Sequence, residues 1–241
     1  MSATRMAPVR RVGHKGADLI APGNTAASFD AALAAGVDMI EFDVLPEHWG
    51  EPESDLFLAH DYADLRGRPR VTLEEGLAHL RAEAFTGVEL DVDLKGPGYE
   101  LRVVAALRAH GLLDRALITT QYRESLAVIR AAEPAARLGW SVPRVRHDPF
   151  QRRWLKHPIL VGLGVYRALL PFLLARELRA GRCDAAMVQW RMATRRVIRA
   201  VHRAGGELYV WTVDDRAAID RLARRGVTGV ITNDPRLFDP V

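Results

Sequence analysis

Residues 11–44 read RVGHKGADLIAPGNTAASFDAALAAGVDMIEFDV. The stretch contains a short apolar run that ends in His14, a helical pattern, and a second apolar run that carries Glu41 and Asp43. A polar side chain buried in a sheet without a partner costs several kcal/mol of folding free energy. Strands of a buried sheet therefore carry such residues where the strand reaches an opening. The stretch predicts buried parallel strands with polar groups at their ends.

Strand-like runs and helical patterns alternate along the whole chain, which is typical of a parallel sheet covered by helices. Eight strands in a chain of 241 residues predict a (β/α)8 barrel of the TIM type, with residues 1–241 forming a single domain. The predicted strands are 11–14, 39–44, 88–94, 116–120, 137–141, 185–189, 208–213 and 229–232. The predicted helices include 25–35, 73–82, 99–110, 123–132, 195–204 and 216–224.

An open, doubly wound sheet is the alternative that this alternation allows. Its phosphate-binding turn would need a glycine fingerprint, and residues 13–24, GHKGADLIAPGN, do not supply one. Two inserts interrupt the barrel pattern, at residues 46–70 and 142–158. Both follow strands, so in a barrel they would lie on the C-terminal face, where active sites form. We expect much of the first insert to be loop.

The composition restricts the compartment and the partners. A single cysteine, Cys183, rules out an intramolecular disulfide and predicts a reducing, cytoplasmic compartment. The N-terminal MSATRMAPVRR lacks the apolar core of a signal peptide. The net charge of +4 favours anionic partners such as phosphate esters or membrane surfaces. The basic residues are scattered without an aromatic platform, which argues against nucleic acid.

Carboxylates cluster at the ends of two neighbouring strands. Side chains two positions apart point to the same face of a strand, so Glu41 pairs with Asp43, and Asp91 shares a face with Asp93 and Lys95. In a closed barrel these strand ends converge on one mouth. Carboxylates that converge repel one another unless a cation lies between them. Oxygen ligands suit Mg²⁺ or Ca²⁺ better than Zn²⁺.

Two histidines and two lysines add groups suited to phosphate chemistry. His14 and His60 can titrate near neutral pH, as an acid–base pair around a phosphorus centre requires. Lys15 and Lys95 can neutralise a phosphoryl oxygen. Each residue alone also has a simpler interpretation, as a helix cap, an ion-pair partner such as Glu89, or a satisfied polar side chain. Their coincidence on one rim favours a metal-dependent phosphate chemistry.

The same residues carry a family resemblance. GHKG…GNTAASFDAALAAGVDMIEFDV…LAHD resembles the glycerophosphodiester phosphodiesterases, whose pattern is His-Arg-Gly, Glu-Asn-Thr, Gly-Ala-Asp with Glu-x-Asp-Val, and His-Asp. VDLKG at 92–96 is similar to their Glu-x-Lys strand, and VWTVDD at 210–215 to their Trp-Thr-Val segment. GVTGVITNDP at 226–235 resembles their closing segment.

The resemblance implies a TIM-type barrel, one divalent cation, Mg²⁺ or Ca²⁺, and hydrolysis of glycerophosphodiesters to glycerol 3-phosphate and an alcohol. It implies a substrate hydroxyl beside the phosphate as the attacking group, with water completing the reaction. By position, it implies metal ligands at Glu41, Asp43 and Asp93, a general base and a general acid at His14 and His60, and substrate contacts at Lys15, Lys95 and Trp211.

Three departures from the pattern leave the substrate open. Lys15 stands where arginine is usual and cannot grip phosphate with a bidentate fork. Gly23 stands where glutamate is usual, and Asp93 replaces a glutamate, which shortens one metal-binding arm. Lysophospholipase D-type hydrolysis of a lysophospholipid is one alternative. A degenerate barrel that binds without catalysis is another. Trp211 can equally be an aromatic of the barrel core.

Residues 159–182, ILVGLGVYRALLPFLLARELRAGR, form the most apolar segment of the chain. Arg167 and Pro171 interrupt it, so it does not read as a transmembrane span. It is either an outer helix of the barrel or a peripheral contact with an anionic membrane surface, since basic residues flank it. The membrane interpretation expects Leu170 and Phe172 to be exposed.

Overall fold

The computed structural model describes residues 8–51, 53–143 and 156–238. Its strands are β1 (Arg10–Gly13), β2 (Met39–Pro46), β3 (Leu56–Leu58), β4 (Glu89–Leu94), β5 (Ala116–Thr120), β6 (Arg137–Val142), β7 (Ala185–Gln189), β8 (Glu207–Trp211) and β9 (Gly229–Thr232). Its α-helices are α1 (Ala26–Ala34), α2 (Tyr62–Gly67), α3 (Leu73–Leu80), α4 (Glu100–Ala109), α5 (Arg123–Ala132), α6 (Lys156–Arg179), α7 (Arg195–Arg203) and α8 (Arg216–Arg225).

Eight parallel strands close into a barrel, as the alternation predicts. The order around the sheet is β1-β9-β8-β7-β6-β5-β4-β2, and β1 pairs with β2 to close the ring. Three of the helices begin after a threonine cap: Thr25, Thr72 and Thr194 each accept a hydrogen bond from the first turn of the helix that follows. The closed ring brings all eight C-terminal strand ends to one face.

The first insert contains more regular structure than its sequence predicts. The segment β3 pairs antiparallel with the end of β2, with Val44 opposite Leu58. All three residues of β3 are buried. Helix α2 follows, and the side chain of Asp61 caps its first turn. A three-residue strand has too little periodicity to be recognised, and only its pairing with β2 defines it.

The interior of the barrel is layered. At the N-terminal end, Glu89 accepts from Arg10 at 2.8 Å and from Arg137 at 2.7 Å, and Arg137 also bonds Glu207 at 3.1 Å. Glu89 is therefore an ion-pair partner and no part of the mouth. An apolar layer follows, and the polar groups of the mouth lie above it. The apolar layer consists of Val12, Met39, Leu117, Ala185, Met187, Tyr209 and Ile231.

The segment 159–182 is largely helix α6, and its exposure corrects one expectation. Leu170 is 0% exposed and packs in the core, so the expectation that it faces solvent is wrong. Phe172 is 75% exposed, as expected. The barrel side of a helix must bury an apolar stripe, and Leu170 belongs to that side. Across the described part of the chain, the helices lack the combined length and apolar character that a bilayer crossing requires.

Candidate active site at the C-terminal end of the barrel

A cavity of about 140 Å³ opens at the C-terminal end of the barrel. The cavity brings together residues that are far apart in the chain, because the strands and loops that carry them converge at this end of the barrel. His14, Glu41, His60, Asp93, Lys95 and Trp211 all line it, as the sequence predicts for one shared rim. Its other lining residues are Asp91, Thr119, Gln121, Ser141, Met187, Thr212 and Ile231.

Glu41, Asp43 and Asp93 form an acidic cluster that fits a cation. Each offers a carboxylate oxygen, and these oxygens lie within 4.8 Å of one another. Asp93 Oδ1 is buried and has no hydrogen-bond partner in the described part of the chain. The Lys95 ammonium contacts both Asp43 and Asp93, the latter at 2.5 Å from Oδ2. An all-oxygen set with an unpaired buried oxygen suits a hard divalent ion such as Mg²⁺ or Ca²⁺.

Asn24 and the backbone of Lys15 hold two of these carboxylates in place. Asn24 Nδ2 donates to Asp43 Oδ2 at 2.9 Å, while the Asp43 backbone N–H donates to Asn24 Oδ1 at 3.1 Å. The Lys15 N–H donates to Glu41 Oε2 at 2.7 Å. Both Asn24 and Lys15 adopt positive φ, at 58° and 50°. The loop after β1 therefore has a left-handed backbone at Lys15 and Asn24, and both residues hydrogen-bond to carboxylates of β2.

The carboxyl groups of the cluster have divergent pKa values. Burial raises the pKa of Glu41 far above its usual value, and the charge of Asp43 adds to this. Burial also raises the pKa of Asp93. Burial acts the same way on Asp43, but the charges of Lys95 and both histidines outweigh it and lower that pKa. A cation therefore competes with protons for Glu41 and Asp93 up to a higher pH than it would for ordinary carboxyl groups.

Asp91 also lines the cavity, on the same face of β4 as Asp93 and Lys95. It is 1% exposed and accepts from Thr119 Oγ1 at 2.7 Å. Burial raises its pKa to about 8, against the opposing effect of the Thr119 hydrogen bond. With its pKa raised in this way, Asp91 carries less negative charge at neutral pH than an ordinary aspartate does.

His14 has one ring nitrogen committed to a hydrogen-bonded chain. Asn233 Nδ2 donates to Asp214 Oδ2 at 2.6 Å, which orients the amide so that Asn233 Oδ1 faces His14 Nδ1 at 2.6 Å. Nδ1 must therefore carry the proton, and Nε2 keeps its lone pair on the cavity side, 3.8 Å from Glu41 Oε2. Burial lowers the pKa of His14, although the Asp43 charge and Asn233 oppose it. At neutral pH His14 is a ready proton acceptor.

Asn233→Ala is expected to lower kcat by about 10- to 100-fold with a smaller change in KM, because His14 loses the partner that fixes its tautomer. The reciprocal swap Asp214→Asn with Asn233→Asp reverses the hydrogen bond between the two side chains but still presents an acceptor oxygen to His14 Nδ1, so it should recover activity that either single swap loses. Steady-state kinetics and the ¹⁵N shifts of the His14 ring check both points. Unchanged shifts in Asn233→Ala would refute the tautomer assignment.

His60 follows β3, so the antiparallel pairing with β2 brings it to the cavity. Its imidazole is half exposed, and Nδ1 lies 3.4 Å from Asp61 Oδ2. Its backbone N–H donates to Asp64 Oδ2 at 3.0 Å. His14 is a buried imidazole and His60 is an accessible one, so the two can exchange protons with different surroundings.

Lys15 is held away from the cavity wall. Its ammonium pairs with Asp18, and Asp18 Oδ1 accepts from the Gly23 N–H at 2.8 Å. A Cβ at Gly23 would lie 2.5 Å from that oxygen. The Asp18 carboxylate thus occupies the space beside Gly23, and it supplies the local negative charge that glycine lacks. Lys15 and Gly23, two of the three positions at which the chain departs from the family pattern, thus both contact Asp18.

Three further residues shape the site without standing out in the sequence: Asn24, Asp214 and Asn233. Two of them are amides, which carry neither the charge nor the titrating group that marks the carboxylates, imidazoles and lysines as candidates. Asn233 directly follows β9, as His14 directly follows β1, so its position at a strand end was an available signal. Asn24 precedes the helix cap Thr25 and has the appearance of an ordinary turn residue. Only its contact with Asp43 reveals a further role.

Comparison with known proteins gives one consistent answer. The profile of the Glycerophosphoryl diester phosphodiesterase family matches residues 14–45 and 101–237. The chain is 23% identical over 262 residues to a glycerophosphodiester phosphodiesterase of Caldanaerobacter subterraneus subsp. tengcongensis, covering 93% of each.

Solved structures share the fold at low identity. A putative glycerophosphoryl diester phosphodiesterase of Silicibacter pomeroyi superposes with a TM-score of 0.73 and 19% identity, covering 95% of this chain and 92% of that one. An Oleispira antarctica phosphodiesterase, solved in complex with the product sn-glycerol-3-phosphate, gives a TM-score of 0.66 and 18% identity, covering 96% and 94%. Both likenesses agree with the closed barrel.

Proposed function

Because the chain belongs to the glycerophosphoryl diester phosphodiesterase family, a family of phosphoric diester hydrolases, we propose that it hydrolyses glycerophosphodiesters to glycerol 3-phosphate and an alcohol. The observation that carries this substrate and mechanism is the cavity that combines an acidic cluster with His14 and His60. The glycerol 3-phosphate bound by the Oleispira antarctica phosphodiesterase supports the same product.

His14 acts as the general base. Its Nδ1 proton is committed to Asn233, so Nε2 is the atom that takes the proton from the attacking hydroxyl. The attacking group is the substrate hydroxyl beside the phosphate, so the first step expels the alcohol and closes a cyclic phosphate. Water opens this ring in a second step, and His14 Nε2 returns its proton to the ring oxygen that becomes the hydroxyl again. The lowered pKa of His14 keeps Nε2 unprotonated at neutral pH. Proton transfer of this kind contributes typically about 10²- to 10⁴-fold in rate.

His60 acts as the general acid and gives its proton to the oxygen of the leaving alcohol. It lines the same cavity as His14, and its half-exposed ring can regain a proton from solvent after each turnover. The buried His14 accepts one proton and the accessible His60 donates the other. No single histidine therefore has to be unprotonated and protonated at the same time.

Glu41, Asp43 and Asp93 would hold one divalent cation, Mg²⁺ or Ca²⁺. When bound, the cation stabilises the negative charge that develops on the phosphoryl oxygens. Lys95 contributes a second positive charge at the cavity wall. Burial lowers the pKa of Lys95, but Asp43, Asp93 and Glu41 raise it by more, so the side chain stays charged.

Trp211 and Lys15 contribute differently to substrate binding. Trp211 lines the cavity, and its Nε1 is buried without a hydrogen-bond partner among the residues described. An unpaired buried donor costs about 1–3 kcal/mol, and a substrate oxygen would relieve that cost. Lys15 contacts phosphate only if its ammonium leaves Asp18, so its contribution to binding is the smaller one.

Lysophospholipase D-type hydrolysis is the second candidate, and the rim of the cavity favours it. Leu19, Ile20 and Trp49 are 62%, 40% and 59% exposed in loops that follow β1 and β2 on the C-terminal face. A cavity of about 140 Å³ holds a head group and leaves an acyl chain outside. Exposed apolar side chains at the rim would cover part of that chain.

Lipid substrates accord with a peripheral membrane contact through residues 159–182. We place the protein in the cytoplasm, because a lone buried cysteine suits a reducing compartment. The contact would bring the mouth to a surface that supplies lysolipid or its products. The membrane contact and the compartment are both independent of which diester is the preferred substrate.

A substrate panel tests the proposed reaction. We expect release of glycerol 3-phosphate from glycerophosphocholine, glycerophosphoethanolamine or glycerophosphoglycerol, and lysophosphatidic acid from lysophosphatidylcholine if the second candidate holds. The double variant Lys15→Arg with Asp93→Glu should retain cation-dependent activity. A wild type that is inactive on every diester, with activity appearing only in the double variant, would instead support the degenerate barrel.

A further inference from the structure

Helix α6 is longer than the barrel needs. The helices α5, α7 and α8 return the chain along the barrel with 10, 9 and 10 residues, whereas α6 has 24. Among the residues whose burial is described, Leu170 is the first fully buried one, and the partly buried Tyr166 one turn earlier also packs against the core. The N-terminus of α6 lies on the side of the active site, because the helix follows β6 and runs back along the barrel.

An apolar stripe on α6 faces solvent. Val165, Leu169 and Phe172 are 54%, 50% and 75% exposed. Their spacing of four and three residues places them on one face of the helix. Leu170 and Leu174 lie on the opposite face and are fully buried. We call Val165, Leu169 and Phe172 the apolar stripe.

A groove beside the stripe carries four arginines. Arg167 of α6 and Arg195, Arg196 and Arg199 of α7 line a groove of about 480 Å³. We call these four residues the arginine groove. The first turn of α7 holds no acidic residue, so the partial positive charge of the helix N-terminus adds to the guanidinium charges.

Among the described residues, the four arginines of the arginine groove lack an acidic partner, in contrast to three arginines that contact Glu177 near the C-terminal end of α6. Arg123, Arg176 and Arg182 all pair with the buried Glu177, at 3.4, 3.0 and 2.5 Å. Within the part of the chain that the structure describes, the arginine groove has no such acidic partner. Positive charge therefore accumulates on the active-site side of α6 and α7, where the N-termini of both helices lie.

We propose that the arginine groove binds the phosphate groups of anionic lipids while the apolar stripe enters the interface of the same membrane. Neighbouring apolar and cationic surfaces match the acyl and head-group layers of a bilayer. The N-terminal half of α6, which lies on the active-site side, would then hold the mouth of the barrel near the surface. The proposal deepens the membrane contact proposed above and rests on it, but binding does not require hydrolysis.

Sedimentation with vesicles tests the groove. Wild type should bind vesicles of phosphatidylcholine with phosphatidylglycerol at low salt, and vesicles of pure phosphatidylcholine much more weakly. Each arginine near an anionic surface contributes about fivefold in binding, so Arg167→Gln with Arg195→Gln and Arg196→Gln should lose roughly 100-fold. The matched control is Arg221→Gln with Arg224→Gln and Arg225→Gln in α8, which changes net charge equally. It should lose less than about fivefold.

The stripe has a separate test. Phe172→Ser with Leu169→Ser should weaken vesicle binding by about tenfold and leave its salt dependence unchanged, since apolar area and not charge is removed. Thermal unfolding of this variant should match wild type, because both side chains are at least half exposed. A variant that unfolds early would show that the stripe packs on the protein and would overturn this part of the proposal.

Partners of the arginine groove and the apolar stripe other than an anionic membrane would give different results in these experiments. Four results would each overturn the proposal. They are equal binding to neutral vesicles, full displacement by inorganic phosphate at equal ionic strength, tighter binding to a short RNA than to vesicles, and a dimer that Phe172→Ser dissociates. Hydrolysis of soluble glycerophosphocholine should be unchanged in the groove variants. A wild type that binds vesicles but hydrolyses no diester would leave the groove intact and refute the proposed function.

Discussion

Removal of divalent cations with excess EDTA is expected to abolish diester hydrolysis, by about 10³-fold or more, and Mg²⁺ or Ca²⁺ is expected to restore it. Glu41, Asp43 and Asp93 present carboxylate oxygens within 4.8 Å of one another, and Lys95 pairs with Asp43 and Asp93 but leaves Asp93 Oδ1 without a partner among the described residues. Glu41→Gln should behave like cation removal, because an amide supplies less charge to the ion. Full activity in excess chelator would refute the assignment of the cluster.

Glu47→Gln is the matched control for Glu41→Gln. Glu47 follows β2 on the same face but pairs with Arg70 outside the cluster, so its amide variant should keep cation-dependent activity.

Calorimetry measures cation binding directly and does not depend on turnover. Because burial raises the pKa values of Glu41 and Asp93, cation binding should release protons, and affinity should rise with pH above the ordinary carboxyl range. Titrations in two buffers of different ionisation enthalpy measure that release.

Replacement of either catalytic histidine with alanine is expected to lower kcat by about 10²- to 10⁴-fold. His14→Ala removes the base whose Nε2 faces the cavity, and His60→Ala removes the acid at the accessible side. His48→Ala is the control, since this histidine lies in the same insert with a side chain 61% exposed and does not line the cavity. It should keep wild-type rates.

An aryl phosphodiester separates the two roles. Its leaving group departs without a proton, so His60→Ala should recover most of its lost rate on this substrate and His14→Ala should not. The pKa of His14 is lowered by burial, so the acidic limb of the wild-type rate profile should lie below the usual imidazole pKa. The limb falls with decreasing pH because protonation of Nε2 removes the base. Equal losses on both substrates in both variants would contradict the division of roles.

The barrel and the acidic rim could be predicted because both depend on short-range patterns. Predicted and observed strands agree for 116–120, 185–189 and 229–232, and the others differ by one or two residues at an end. The spacing of two between Glu41 and Asp43 places both on one face of a strand, whatever the rest of the chain does. A parallel barrel then brings strand ends together, so the cluster follows from topology and spacing alone.

The hydrogen-bond partners of the site could not be predicted in this way. His14 and Asn233 are 219 residues apart, and their contact exists only because β1 and β9 are neighbours in the closed ring. Asp18 takes the space beside Gly23 because of the turn that follows β1, and no periodic pattern describes such a turn. The direction of each pKa shift likewise depends on burial and on charges from several strands.

The sequence by itself therefore determined the barrel, its strands and the acidic and imidazole groups at its mouth, since periodicity and spacing are local properties of the chain. Tertiary structure alone decided that Leu170 is buried while Phe172 is exposed, that Lys15 pairs with Asp18, and that the arginines lining the groove come from both α6 and α7. Each of these depends on which surfaces meet when distant segments pack, and an apolar residue two positions along a helix lies on a different side.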